Sequence, residues 1–446
     1  MAVSTPSDRI LRPFLRFAKH QSSGGILLFV ATLAALIWAN SANGQSYFDL
    51  WQTTFEVRFG DLSLSKPLAK WINDGLMVVF FFVVGMEIKR EALHGELASP
   101  SRLMFPLAAA IGGMAAPALL YSAFNAGEVG ASGWGIPMAT DIAFALGIMS
   151  LLGKRVPLTL KVFLTALAII DDLGAVVVIA LFYSEGISFE LILIAHGLLA
   201  IAALANLLGF RHPLLYGLLG LAMWLALIKS GVHATVGGVL MALTIPARPR
   251  IDRARFLTRA RDLLHRFEHD HGNGTNESHA HSQSTIQELE AACTQVETPA
   301  GRLERMLHPW VAFLILPLFA FANAGVALGE DLGATILQPV AIGTIVGLFV
   351  GKPLGVLVCA WLAVRLGWAA PPEGANWRQI GGVACLTGIG FTMSLFIANL
   401  GLSGTLIDEA KVGILIASAA SAALGVVLLA TASRPVEPVV DERAAG

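Results

Sequence analysis

Long apolar runs recur from about residue 24 to about residue 431, parted by short polar connections. Each is long enough, at 1.5 Å of rise per helical residue, to cross or nearly cross a bilayer. Twelve such stretches fall at roughly 24–42, 71–88, 103–124, 134–153, 158–183, 189–208, 213–228, 231–246, 309–328, 337–363, 379–400 and 409–431. The seventh and eighth are short and nearly fused. Lipid offers no water to pair exposed backbone groups, so helices are expected. The residue-by-residue alternation of a membrane barrel is missing. The pattern predicts an all-α polytopic membrane protein of about twelve transmembrane helices.

Two stretches depart from the apolar rhythm. Residues 48–65 hold Thr53-Thr54-Phe55-Glu56-Val57-Arg58-Phe59, then Gly60-Asp61, then Leu62-Ser63-Leu64. Alternation broken by Gly-Asp predicts a small β-hairpin outside the membrane, with an irregular loop as the alternative. The second is a long loop over 247–307. It begins basic and amphipathic and turns polar, with His265, His269, His271, His279 and His281 among Gly, Asn and Ser. A metal-binding tract is one reading. Irregular spacing and the lack of a Cys partner favour an unstructured linker. The expected layout is therefore an N-terminal segment 1–23, spans over 24–246, the loop 247–307, spans over 308–431, and a tail 432–446. Basic residues such as Lys89, Arg102, Lys154, Lys161, Arg211 and the arginines of the long loop fall on alternate connections. The positive-inside rule puts that side, and both termini, in the cytoplasm. Lys66, Lys70 and Lys229 are minor exceptions.

Composition agrees with the pattern. Of 446 residues 55% are hydrophobic and 14% charged, against about 25% charged in soluble domains. Mean hydropathy is +0.69. A single soluble core is excluded, because the polar surface to cover it is missing. A net charge of −1 says nothing about partners, no nucleic-acid partner is expected, and Cys293, Cys359 and Cys385 suggest no disulfide framework.

Ionisable residues inside spans are costly unless they face a cavity or a partner, so each is a functional candidate. Asp171 and Asp172 sit together in Ala168-Ile169-Ile170-Asp171-Asp172-Leu173-Gly174-Ala175. Neighbours on a helix point about 100° apart, so the two can serve different partners. A carboxylate binds a hard monovalent cation or a proton, and competition between them is the simplest antiport. Asp141 follows Pro137-Met138-Ala139-Thr140, where proline should break or unwind the helix and Thr140 or Asp141 should cap its restart. A plain proline kink is the alternative. Thr387-Gly388-Ile389-Gly390-Phe391-Thr392-Met393-Ser394 marks a second interruption near the C-terminus. Interrupted spans in both halves point to an inverted-repeat transporter, with 103–183 matched to 337–431. Lys352, in Gly351-Lys352-Pro353, is mid-span and needs a carboxylate partner. Glu87, Glu91 and Glu304 lie near span ends, where charge is ordinarily solvated, and a lone His233 is ordinarily structural.

Phe82-Val83-Val84-Gly85-Met86-Glu87-Ile88-Lys89-Arg90-Glu91, Ala139-Thr140-Asp141, the Asp171-Asp172 stretch, His308-Pro309-Trp310 running to Asn323-Ala324-Gly325, Gly351-Lys352-Pro353-Leu354-Gly355 and Thr387 to Ser394 resemble the NhaA family of bacterial sodium/proton antiporters. The resemblance covers about residues 13–432, interrupted by 249–300. It implies twelve spans, inverted repeats with two broken, crossed helices, and pH-regulated, electrogenic exchange of Na+ (or Li+) for H+ in the bacterial inner membrane. It implies that Asp172 and Asp171 hold sodium, that Asp171 pairs with Lys352, and that Asp141 and Thr140 stand at the crossing. Glu87, Glu91, Glu304 and His233 resemble positions tied to pH response, and the hairpin resembles a homodimer contact. No cofactor is implied. The His-containing loop departs from the family pattern. A sodium-selective channel, or another cation-coupled transporter, is the alternative. Isolated midplane charges fit a channel less well than a continuous polar pore lining would. No nucleophile–base motif suggests an enzyme.

Overall fold

Prolines set many of the helix boundaries in the computed structural model, which describes residues 23–60, 62–184, 186, 188–270, 276–329 and 332–432. The basic N-terminal segment, Asp61, His271 and the tail beyond 432 lie outside the described residues. Helix α1 (Ser23–Ala39) turns by 112° into α2 (Gly44–Gln52), and the strands β1 (Thr54–Phe59) and β2 (Leu62–Pro67) follow. Next come α3 (Leu68–His94), α4 (Pro100–Asn125), a 3-10 helix Val129–Met138, α5 (Ile142–Leu151) and α6 (Leu158–Phe182). Then α7 (Phe189–Leu207), α8 (Pro213–Leu227) and α9 (Ala234–Thr244) lead to α10 (Arg253–Asp270) and α11 (Asn276–Val296). The chain closes with α12 (Pro299–Asn323), the short α13 (Leu332–Ile336), α14 (Pro339–Arg365), α15 (Trp377–Thr387), α16 (Phe391–Gly401) and α17 (Thr405–Thr431).

Pro100, Pro213, Pro299 and Pro339 open α4, α8, α12 and α14, where a missing N–H costs nothing. Inside α12 and α14 the effect differs. Wide π-helical turns at Val311–Ile315 and Gly347–Gly351 each lie just ahead of a proline, Pro317 and Pro353. The proline ring displaces the carbonyl four residues back, and the turn widens to accept it.

Among the described residues, seven helices are long and apolar enough to cross a membrane, and α8 and α9 are shorter apolar helices. Three bent pairs complete the apolar set: α1–α2, the 3-10 helix with α5 at 42°, and α15–α16 at 41°. The last two are the interruptions expected at Pro137–Thr140 and at Thr387–Ser394. The hairpin is antiparallel, with Phe59 opposite Leu62 and Thr54 opposite Pro67. Gly60 turns it at φ +60°, a left-handed conformation that glycine adopts freely. It starts later than the expected 48–65, because Phe48 belongs to α2. There Tyr47 and Trp51, one turn apart, pack on Phe321, and Tyr47 also on Trp38.

The loop 247–307, read from sequence as an unstructured linker, contains two helices and the first turns of α12, which begins at Pro299 rather than near 308. Phe256, Leu263 and Phe267 line one side of α10, and Thr285, Leu289 and Ala292 line one side of α11. The two helices pack together, burying Leu263 and Ala292. The apolar spacing was present but sparse among charges. Among the described residues no group of three or more His, Cys, Asp or Glu is placed to hold a metal.

Helix α14 packs closely along α4. A Cβ on Gly112 would collide with the Gly355 carbonyl, and one on Gly355 with the Gly112 carbonyl. Small residues let the backbones approach. This fixes the face of α14 on which Lys352, one turn before Gly355, projects.

Candidate ion-binding site

The two chain breaks cross and satisfy each other's backbone. The Asp141 amide donates to the Ile389 carbonyl at 2.7 Å, and the Ser394 hydroxyl donates to the Ile136 carbonyl at 2.7 Å. Asp141 caps α5, accepting from the Phe144 amide at 2.9 Å through Oδ1. Its Oδ2 accepts from the Thr392 amide at 3.1 Å and the Thr392 hydroxyl at 2.5 Å. One carboxylate thus faces the starts of both α5 and α16, where helix dipoles are positive.

Lys352 does the converse. Its ammonium donates to the Met138 carbonyl, at the end of the 3-10 helix, where the dipole is negative. It also pairs with Asp171 Oδ2 at 2.8 Å, both side chains being 0% exposed. The carboxylate that a mid-span lysine demands is therefore Asp171. Thr140 Oγ1 lies 2.8 Å from the same Asp171 oxygen and 3.1 Å from the Thr387 carbonyl. Asp171 Oδ1 and Asp172 Oδ1 are buried and accept no hydrogen bond among the described residues. Asp172 lies within the electrostatic reach of Asp171, Glu87, Asp141 and Lys352. Asp141, Asp171 and Lys352 thus gather at the crossing with Asp172 next to Asp171 in the chain, and the Oδ1 atoms of Asp171 and Asp172 are placed to take a proton or a cation.

The remaining candidates fall at opposite ends of α3. At one end Arg90 gathers three carboxylates. It bonds Glu304 on α12 directly and approaches Glu91 at 3.3 Å and Glu87 at 3.5 Å. Lys89 donates to the Leu243 carbonyl at 2.7 Å and to the Ile245 carbonyl at 2.5 Å, closing the end of α9. His233 stands at the other end, about 20 Å away at helical rise. Its Nδ1 is 2.7 Å from Thr235 Oγ1 and its Nε2 is 3.7 Å from Asp74 Oδ1. It is not part of the Arg90 cluster. The sequence reading missed Thr392 and Ser394 as ligands of the crossing, although both stand beside the glycines that marked the break. It also missed the Met138 carbonyl, which has no side-chain signal.

A polytopic, mainly helical protein with two broken helices bonded to each other beside buried carboxylates, matching an antiporter family over nearly its whole length, is a secondary ion transporter rather than an enzyme. Residues 15–429 match the family described as Na+/H+ antiporter 1, and the chain belongs to that family. Among its relatives, the Na(+)/H(+) antiporter NhaA of Koribacter versatilis is 49% identical over 441 residues, 97% of this chain and 96% of the relative. That of Oleidesulfovibrio alaskensis is 49% identical over 98% of each chain. That of Escherichia coli O139:H28 is 47% identical over 94% of this chain and 98% of the relative.

Proposed function

We propose that the protein exchanges sodium for protons electrogenically across the bacterial inner membrane, with both ions competing for the buried carboxylates at the crossing. The carrying observation is Asp172: buried, beside the Asp171–Lys352 pair, and with an oxygen that accepts no hydrogen bond among the described residues. A dehydrated Na+ or a proton satisfies such a group, and the two exclude each other. Asp171 is the partner carboxylate. In this reading sodium draws Asp171 away from Lys352, whose ammonium then releases or shares its proton. Thr140 and Asp141 hold the crossing in register.

This reading includes twelve spans arranged as inverted repeats, 103–183 against 337–431, with both termini and the α10–α11 hairpin cytoplasmic. Lithium is an alternative substrate by the same chemistry. Glu87, Glu91 and Glu304 around Arg90 form the cytoplasmic mouth, and their protonation, with that of His233 at the other face, tunes activity to pH. The β-hairpin, exposed at Phe55 and Val57, supports a homodimer. The test is dissipation of a pre-set ΔpH in proteoliposomes on adding Na+, Li+ or K+ across a pH series. Sodium-dependent proton efflux that also generates a membrane potential is expected. Sodium flux without proton counterflow would instead establish a channel.

A further inference from the structure

Three buried or half-buried asparagines meet on the hairpin side of the site, and the mechanism above uses none of them. Asn73 on α3 and Asn323 at the end of α12 bond reciprocally, Nδ2 to Oδ1 at 3.2 Å and 2.9 Å. Asn399 on α16 donates to Asn323 Oδ1 at 3.1 Å. The same three helices supply a second layer deeper in the protein. Phe81 lies two turns below Asn73, Phe319 one turn below Asn323, and Phe396 one turn below Asn399. The Phe396 ring packs on Phe81 at 5.4 Å and on Phe319 at 6.1 Å, all three side chains being buried. Beyond the amides lies a polar cavity of about 230 Å³ lined by Lys66, Asp74, His233 and Asn399 among others.

The bonding divides these helices into two bodies. α3 and α12 are joined at both ends, by Asn73–Asn323 on one side and Arg90–Glu304 on the other. α16 is joined at both ends to the crossing: Thr392 and Ser394 bond Asp141 and Ile136, and the Gly401 carbonyl accepts from Ser132 Oγ at 2.6 Å. The Asn399–Asn323 bond links one body to the other, and Lys411 donating to the Gly325 carbonyl at 3.1 Å is a second tie on the same side.

We propose that Asn73, Asn323 and Asn399 are positioning residues forming a latch that holds the hairpin-side path closed, and that the Asn399–Asn323 bond breaks when the crossing moves against the α3–α12 pair to open it. The inference rests on the transporter reading above. Amides suit the task, because they neither titrate nor carry charge, and their oxygens, engaged by Nδ2 donors, compete for a cation far less than a carboxylate would. The latch therefore sets the balance between the two access states with little competition for cargo. A neutral hydrogen bond biases that balance by roughly two- to tenfold.

The test is Asn399→Ala, which leaves the Asn73–Asn323 pair intact. Its apparent sodium affinity is measured in proteoliposomes with sodium supplied from one face at a time. A state made more populated binds its ligand with higher apparent affinity, and the other state with lower. The expected result is tighter apparent affinity from the hairpin side and weaker from the loop side, the ratio between the two faces changing by roughly two- to tenfold. Equal affinities to the parent on both faces, or an equal loss on both, overturn the latch. Asn399→Ser, whose hydroxyl is too short to reach Asn323, reads the same quantity should the alanine variant fail to reconstitute. A parent protein that exchanges no sodium for protons would refute the antiport reading itself, an outcome separate from either result above.

Discussion

Asp171 and Asp172 are neighbours with different fates. Each has a buried Oδ1 that accepts no hydrogen bond among the described residues, but Asp171 is also paired through Oδ2 with Lys352 and Thr140, and Asp172 has no such ion pair there. Replacing Asp172 by Asn removes the charge while keeping the shape, and no ion pair among the described residues depends on it. Asp172→Asn is expected to fold and to lose sodium-dependent ΔpH dissipation in proteoliposomes. Retained exchange in a well-reconstituted variant would remove Asp172 from the site. Lys352 carries the opposite expectation. Breaking a fully buried pair from one side costs about 3–5 kcal/mol, because the partner's charge is left uncompensated. Lys352→Ala should therefore melt lower than the parent in detergent at matched salt. The deficit should shrink as pH falls, since protonation of Asp171 removes the uncompensated charge. Lys352→Arg keeps a charge that does not leave. It separates a structural role, in which coupled exchange survives, from proton release, in which the pH dependence changes.

At the scale of elements, two crossed breaks do what a continuous helix cannot. They expose backbone groups inside the apolar bundle, and each break caps the other. Asp141 serves both helix starts and Lys352 serves a helix end, so the charges are compensations as much as ligands. The α10–α11 hairpin is the opposite kind of element. It buries its own small interface, and its base is closed where the Arg250 amide donates to the Gln295 carbonyl at 2.8 Å. Because its ends meet, excising 253–294 and joining them through a short glycine-serine linker should leave the maximal exchange rate within about twofold, a change no larger than a few tenths of a kcal/mol in barrier. Loss of all exchange in a folded product would show that the hairpin takes part in transport. A changed pH response alone is compatible, since Glu304 follows closely.

The whole molecule places one buried carboxylate cluster between two differently lined ends. The Arg90–Glu304 group lies at one end of α3, and the asparagine layer with its polar cavity at the other. If sodium and protons compete at that cluster, a fall in pH fills the carboxylates with protons and weakens sodium binding. The KM for sodium should rise with falling pH, approaching tenfold per unit where competition is complete, since a tenfold change in proton concentration is a tenfold change in a competing ligand. The maximal rate at saturating sodium should change much less. A KM that is flat across the series, with only the maximal rate responding, would place pH control outside the ion site.

Much of this was legible along the chain because membranes make sequence unusually explicit. Apolar run length marked the spans, Gly-Asp marked the turn of the hairpin, and Pro137 and the glycines at 388 and 390 marked the breaks. Each signal is local, arising from hydration, backbone sterics or a missing N–H. A charge in an apolar run also declared itself, since burial there is costly wherever the chain folds. The pairing of Lys352 with Asp171 rather than Asp172 could not be read locally. It depends on the face of α14 that Gly112 and Gly355 press against α4. The α10–α11 interface was hidden because its few apolar residues are diluted among charges. The three asparagines look unremarkable in sequence, being single polar residues near span ends. Only packing brings residues 73, 323 and 399 within hydrogen-bond distance, because amide geometry is decided across helices and not along them.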